Sequence, residues 1–133
     1  MNKIRVANIE EELSKLKILD GRTPHTTEEE AEKAFASLGS FDTGGVFTGS
    51  FIGESPWERH TAGDELVHIL KGETKLTILA EIGAEVLEMK AGMVTVVPKG
   101  LWHRFKAPNG VTVLTATPHP TEHSDADDPR ESN

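Results

Sequence analysis

The chain has 133 residues, a formal net charge of −8 and no cysteine. That length suits one domain, and the lack of cysteine excludes disulfides, thiolate zinc sites and cysteine nucleophiles, in keeping with a reducing compartment. The acidity argues against nucleic acid, whose phosphates need a basic surface. No apolar run reaches membrane-spanning length, and the N-terminus leads into Glu10-Glu11-Glu12 rather than an apolar signal core, so no membrane partner and a cytoplasmic location are expected.

Residues 1–44 carry two short amphipathic patterns. Asn8 can cap a helix with Glu11 in the capping-box position, and Ile9, Leu13 and Leu16 share one face until Asp20-Gly21 breaks the pattern. Thr26 and Thr27 open a second pattern, with Glu29 and Glu30 as box partners. Ala31, Ala34, Phe35 and Leu38 then fall at i, i+3, i+4 and i+7, and Gly39 ends it. A two-helix N-terminal extension is predicted.

Residues 45–117 read as all-β. Val46–Ile52, Glu65–Leu70, Lys75–Leu79, Glu85–Met89, Met93–Val97, His103–Lys106 and Val111–Thr117 are short runs rich in β-branched residues. Turn signals separate them at Gly53, Gly63-Asp64, Lys71-Gly72, Ile82-Gly83, Ala91-Gly92, Pro98-Lys99-Gly100 and Pro108-Asn109-Gly110. Strands at this spacing predict a jelly-roll barrel or sandwich. A barrel this short is small for an independent core, so help from the helices, from a second copy in a homodimer, or from both is expected.

Residues 118–133 hold five acids, one base and two early prolines, a net of −4, which leaves −4 for the rest of the chain. Such a tail is expected to be disordered.

Two segments concentrate possible metal ligands. In the first, Glu58 and His60 are two apart and point to one face if extended, away from Trp57 and Arg59; Glu65 and Gly72 follow. Glu65, Val67 and Ile69 should share a face, with Leu66, His68 and Leu70 opposite. In the second, Gly92, Pro98, Gly100 and His103 stand in order, and Phe105 falls on the His103 face as a possible wall of a pocket.

These segments resemble the two motifs of the cupin superfamily. His60, Glu65 and Gly72 fall on the second His, the Glu and the Gly of its first motif, with Gly53 at the motif's head. Gly92, Pro98, Gly100 and His103 fall on its second motif. The departures are Glu58 where the family's first His usually stands, and Ala107 in place of the closing Asn.

The resemblance implies a cupin-like jelly-roll β-barrel and one divalent transition ion (Fe, Mn, Ni or Zn), with Glu58, His60, Glu65 and His103 as ligand candidates. It also implies a small organic molecule as substrate or ligand. Imidazole and carboxylate ligands suit such ions, and two His with one carboxylate is the set of non-haem iron oxygenases. Glu58 reads equally as a ligand, a catalytic acid or base beside the ion, or a salt-bridge partner. A metal-dependent enzyme, dioxygenase- or isomerase-like, is the leading functional expectation, and a non-catalytic ligand or metal sensor the alternative. His68 reads as an ordinary strand residue, Trp57 and Trp102 as packing residues, and the Glu54-Ser55-Pro56 stretch as a possible pocket rim. His25, His119 and His123 receive no role.

Overall fold

The computed structural model describes residues 4–131. Its elements in chain order are α1 (Ile9–Ser14), β1 (Leu19–Arg22), α2 (Glu28–Glu32), β2 (Phe35–Phe41), β3 (Gly44–Glu54), β4 (Trp57–His60), β5 (Glu65–Ala80), β6 (Gly83–Lys90), β7 (Val94–Val97), β8 (His103–Pro118) and β9 (Thr121–Ser124). The fold is all-β with two short helices, as expected. All nine strands join one curled sheet whose main path runs β1-β3-β8-β4-β9, with β2 on β3 and with β5 pairing β6, β7 and β8. Every pairing is antiparallel except β1 on β3. Among the described residues no helix is long and apolar enough to cross a membrane.

Both helix starts follow the sequence. Asn8 accepts from the Glu11 amide, and Thr27 and Glu30 form a complete capping box. The second helix nevertheless stops at Glu32. Phe35 to Leu38, expected to continue it, belong to β2 and pair with β3, Phe35 lying opposite Gly49. A Cβ at Gly49 would stand 2.5 Å from the Phe35 ring. The glycine thus opens a slot that the phenylalanine fills, and this long-range pairing overrides the helical period.

The breaks expected at Lys71-Gly72 and Pro108-Asn109-Gly110 are bends within β5 and β8. Gly72 and Gly110 lie at φ +76° and +95°, and a Cβ on Gly72 would come within 2.4 Å of the Gly110 carbonyl oxygen. The two strands cross closest where neither has a side chain, and the register shifts there.

Inside the curl, alternate residues of β3, β5 and β8 build the core: Phe51, Val67, Ile69, Leu76, Phe105 and Val113 among them. Glu65, Val67 and Ile69 face inward and Leu66 outward, as the alternation predicts.

The expected disorder of the tail is corrected over its described part. The last two residues lie outside the described range, but β9 pairs in register with β4: Trp57 opposite Ser124, Glu58 opposite His123, Arg59 opposite Glu122 and His60 opposite Thr121. The buried Trp57 donates its indole N–H to the Asp127 carbonyl, and Arg59 pairs with Glu122. Acidic composition misled here because the tail is held by strand pairing and by its contact with Trp57, while most of its side chains still face water.

Candidate metal centre

Three strand ends meet at one point. His60 closes β4, Glu65 opens β5 and His103 opens β8. The chain between Pro98 and Leu101 turns tightly, with the Leu101 amide bonded to the Pro98 carbonyl and Gly100 at φ +80°, which a type II turn requires of its third residue. That turn is tied to the first segment. The Gly100 amide donates to the His60 carbonyl (2.9 Å) and the Lys99 amide to the Asp64 carboxylate (2.8 Å). The Pro-x-Gly spacing therefore delivers His103 to the neighbourhood of His60 and Glu65.

One ligand atom from each of His60, Glu65 and His103 lies within 4.8 Å of the others. Glu65 Oε1 stands 3.0 Å from His103 Nε2 and 3.4 Å from His60 Nε2. All three atoms are buried, and with neither Nε2 carrying a proton no donor meets the carboxylate oxygen and nothing meets the two lone pairs. Buried polar atoms left in this state are rare and costly, and a divalent cation accepting all three would satisfy them.

Outer partners fix the same orientation. The His103 Nδ1–H donates to the Leu101 carbonyl (3.1 Å), leaving Nε2 with the lone pair. His60 Nδ1 meets the Thr121 hydroxyl at 3.0 Å. The Thr117 hydroxyl donates to Glu65 Oε2 (2.7 Å) and contacts Thr115 behind it. Such second contacts hold ligand rings and carboxylates in metal-binding pose, so the residues present fit a first-row divalent ion.

Glu58 stands apart from this cluster. Its Oε2 lies 3.2 Å from His123 Nε2, and His123 Nδ1 pairs with Glu28 of α2. Burial alone would raise the Glu58 carboxyl, but the His123 hydrogen bond and the nearby charges of His103 and Arg22 outweigh it, and it lies below its ordinary value. His123 is raised in turn, chiefly by Glu58. The sequence assigned nothing to His123 and Thr121. The available signal was their two-residue spacing, which puts both on one face of a strand.

Glu58, His60 and Glu65 line a cavity of about 320 Å³, together with Phe35, Phe47, Phe51 and Phe105. Phe105 stands edge-on to the His103 ring at 6.4 Å, the wall position expected of it. Trp57 and Trp102 serve packing, covered by Arg104 and Arg59 respectively. Ser55 is fully buried, ties its hydroxyl to the Phe105 amide and does not line the cavity, so it anchors the loop.

Burial pushes the Glu65 carboxyl up, but attraction by the His103 and His60 imidazoles dominates and holds it at about 2. Burial pushes His103 down, while Glu65 and then Glu58 raise it further, above its ordinary 6.5. In the metal-free chain this charged pair contributes stability below the ordinary imidazole value and loses it as pH rises through the raised value. A bound cation needs the same imidazole unprotonated, so its contribution grows over that interval. The melting-temperature gap between metal-loaded and metal-free protein should therefore widen as pH rises through and beyond 6.5. A gap independent of pH would mean that no ion competes with the His103 proton.

A family model for the cupin domain matches residues 52–116. Comparison with curated proteins finds no match. Among solved structures, a cupin-2 domain containing protein from Shewanella frigidimarina superposes with a TM-score of 0.60 at 17% identity, over 90% of this chain and 95% of that one. Hydroquinone 1,2-dioxygenase from Sphingomonas, solved with 4-hydroxybenzoate bound, gives 0.55 at 16% identity, over 78% of this chain and 70% of that one. Oxalate decarboxylase from Lactobacillus farciminis gives 0.53 at 13% identity, over 59% of this chain and 26% of the enzyme. At these identities the superpositions speak for the fold. The matched segment begins in β3 and ends in β8, and so contains both motifs and all three converging ligand atoms; residues 52–116 of this chain form a cupin domain.

Proposed function

We propose that this protein is a metal-dependent enzyme of the dioxygenase or isomerase type acting on a small organic molecule, with His60, Glu65 and His103 holding one Fe, Mn, Ni or Zn ion. The observation that supports this most is the cavity. A three-residue ligand set leaves coordination positions open, and two of the three residues line a space of about 320 Å³, within the range of small-molecule sites. When bound, the ion would supply a Lewis-acid or O₂-binding centre.

The chain's own residues do the remaining work. The phenylalanine walls give one side of the cavity an apolar surface, which strengthens the electrostatics beside it. Glu58 faces the cavity and is assigned proton transfer rather than ligation, because its Oε2 is held by His123 and it lies outside the ligand cluster. His123 keeps that carboxylate ionised and oriented.

Manganese-loaded protein tests both points. Water-proton relaxation should show rapidly exchanging water on the ion, whereas a shell saturated by the protein would favour the sensor reading. Glu58→Ala should hold Mn(II) within about threefold of the parent affinity, since the three ligands and their outer contacts remain. A much larger loss would make Glu58 a direct ligand after all.

A homodimer is part of the proposal. Leu66, Val94 and Val96 are 37%, 59% and 52% exposed, and Leu66 and Val96 are direct neighbours across the β5–β7 ladder. An apolar strip on a sheet face suits a two-fold contact. Light scattering at micromolar concentration should give twice the chain mass, and a monomer mass would remove this part.

A further inference from the structure

Arg22 is a cavity residue to which the proposed function gives no part. It closes β1, is only 8% exposed and lines the same cavity as His60 and Glu65. Its guanidinium lies over the Phe51 ring, 4.6 Å from the centroid. Its Nε is buried without a hydrogen-bond partner. Among the described residues no carboxylate stands within ion-pair distance of it. Glu58 is close enough to act on it electrostatically but is bonded to His123 instead. Removing a guanidinium from water without a partner is costly, and so is leaving a buried N–H orphaned.

The backbone is arranged to put Arg22 there. β1 is the one strand that runs parallel to its neighbour, and Arg22 lies opposite Gly53 of β3. Gly53 adopts φ +125°, and a Cβ on it would come within 2.1 Å of the Arg22 carbonyl oxygen. Only glycine lets β1 approach this closely. The glycine at the head of the first motif thus has a local task in this chain, which is to admit the strand that carries the arginine.

We propose that Arg22 anchors a carboxylate of the substrate, so that the enzyme's substrate class is a small organic carboxylate with an apolar or aromatic body. This rests on the cavity being the substrate site proposed above. A guanidinium offers a planar fork that matches a carboxylate in two hydrogen bonds, and Arg22 has an unused donor on the wall of a confined space. The four phenylalanines of that space suit the apolar body. The acids that line the cavity do not oppose the anion in proportion to their number. Of the four, Glu58 and Glu28 are both paired with His123, Glu65 faces the two imidazoles, and Glu32 is exposed to solvent at the end of α2. The main competing role is structural, with Arg22 as a distant counter-charge to Glu58.

Calorimetric titration of the full chain with benzoate, and with benzamide as the uncharged isostere, tests the anchor. Each titration is run on metal-loaded and on chelator-treated protein. Benzoate should bind at least about tenfold tighter than benzamide, the value of one charge-assisted hydrogen-bonded pair. The preference should persist after metal removal, disappear in Arg22→Gln, and shrink in Arg22→Lys, which keeps the charge but loses the fork. Arg22→Gln should melt no lower than the parent when ligand-free, since it removes an unpaired buried charge; a structural counter-charge would lower the melting temperature. Equal binding of the two probes overturns the proposal, and this comparison needs no variant to fold. So does benzoate binding that Arg22→Gln leaves unchanged, and if that binding also vanishes with the metal, the ion takes the carboxylate and the metal reading stands alone. An arginine-dependent benzoate preference in a protein that takes up no ion would instead uphold the anchor and end the metal reading.

Discussion

His103→Ala should yield protein with essentially no bound divalent ion, against about one per chain in the parent. His103 is 1% exposed and contributes one of three orphaned ligand atoms. Losing a partner behind a ligand already costs about 10–100-fold in affinity, so losing the ligand itself should cost more than about 100-fold. His60→Ala should behave alike, because Nε2 of His60 is the second imidazole donor. His103→Gln fills most of the volume without restoring the imidazole, and separates lost ligation from a lost fold. His68→Ala is the matched control, since His68 lies opposite Val94 on the outer side of β5. Metal content measured on the purified proteins decides the matter. Unchanged content in the His60 and His103 variants would end the metal assignment and leave a buried carboxylate–imidazole cluster to be explained as an ion-pair network.

Much of the centre was legible because its residues sit where local rules suffice. Alternation alone puts Glu65, Val67 and Ile69 on one face and Phe105 beside His103, and both hold. The Pro98-Lys99-Gly100 turn marks where the chain doubles back, and the glycine's positive φ explains why the third residue has no side chain. What the sequence did not show depends on partners distant in the chain. Phe35 sits on a helical period up to Leu38, yet a strand is chosen by the glycine opposite it at position 49. Gly72 and Gly110 look like two separate turn signals, and only their mutual contact reveals two bent, continuous strands.

Arg22 and His123 illustrate the same point within the site. Neither belongs to a motif, and neither lies near His60 in sequence. Arg22 arrives on a parallel strand admitted by Gly53, and His123 on an edge strand paired with β4. The barrel strands carry the ligands, whereas the segments on either side of them carry Arg22 and His123. Specificity is therefore expected to follow the additions rather than the motif.

Ending the chain after Pro118 should both loosen the fold and weaken metal binding, although it removes no ligand. β9 supplies the Thr121 hydroxyl that meets His60 Nδ1 and the His123 ring that holds Glu58. The same segment covers Trp57, which is 4% exposed with its indole bonded to Asp127. Uncovering a large aromatic costs about 3 kcal/mol, which for a chain of this size is a melting-temperature loss of about 6–12 °C. Without its outer partner the His60 ring is free to rotate, and divalent-ion affinity should fall by about 10–100-fold. Thr121→Val separates the two effects. It keeps the strand and nearly the same side-chain volume, so it should retain the melting temperature while losing the affinity. A truncated chain that matched the parent in both melting temperature and metal affinity would show that β9 only rests on the barrel, and the reading of Thr121 as the residue that orients His60 would fall with it.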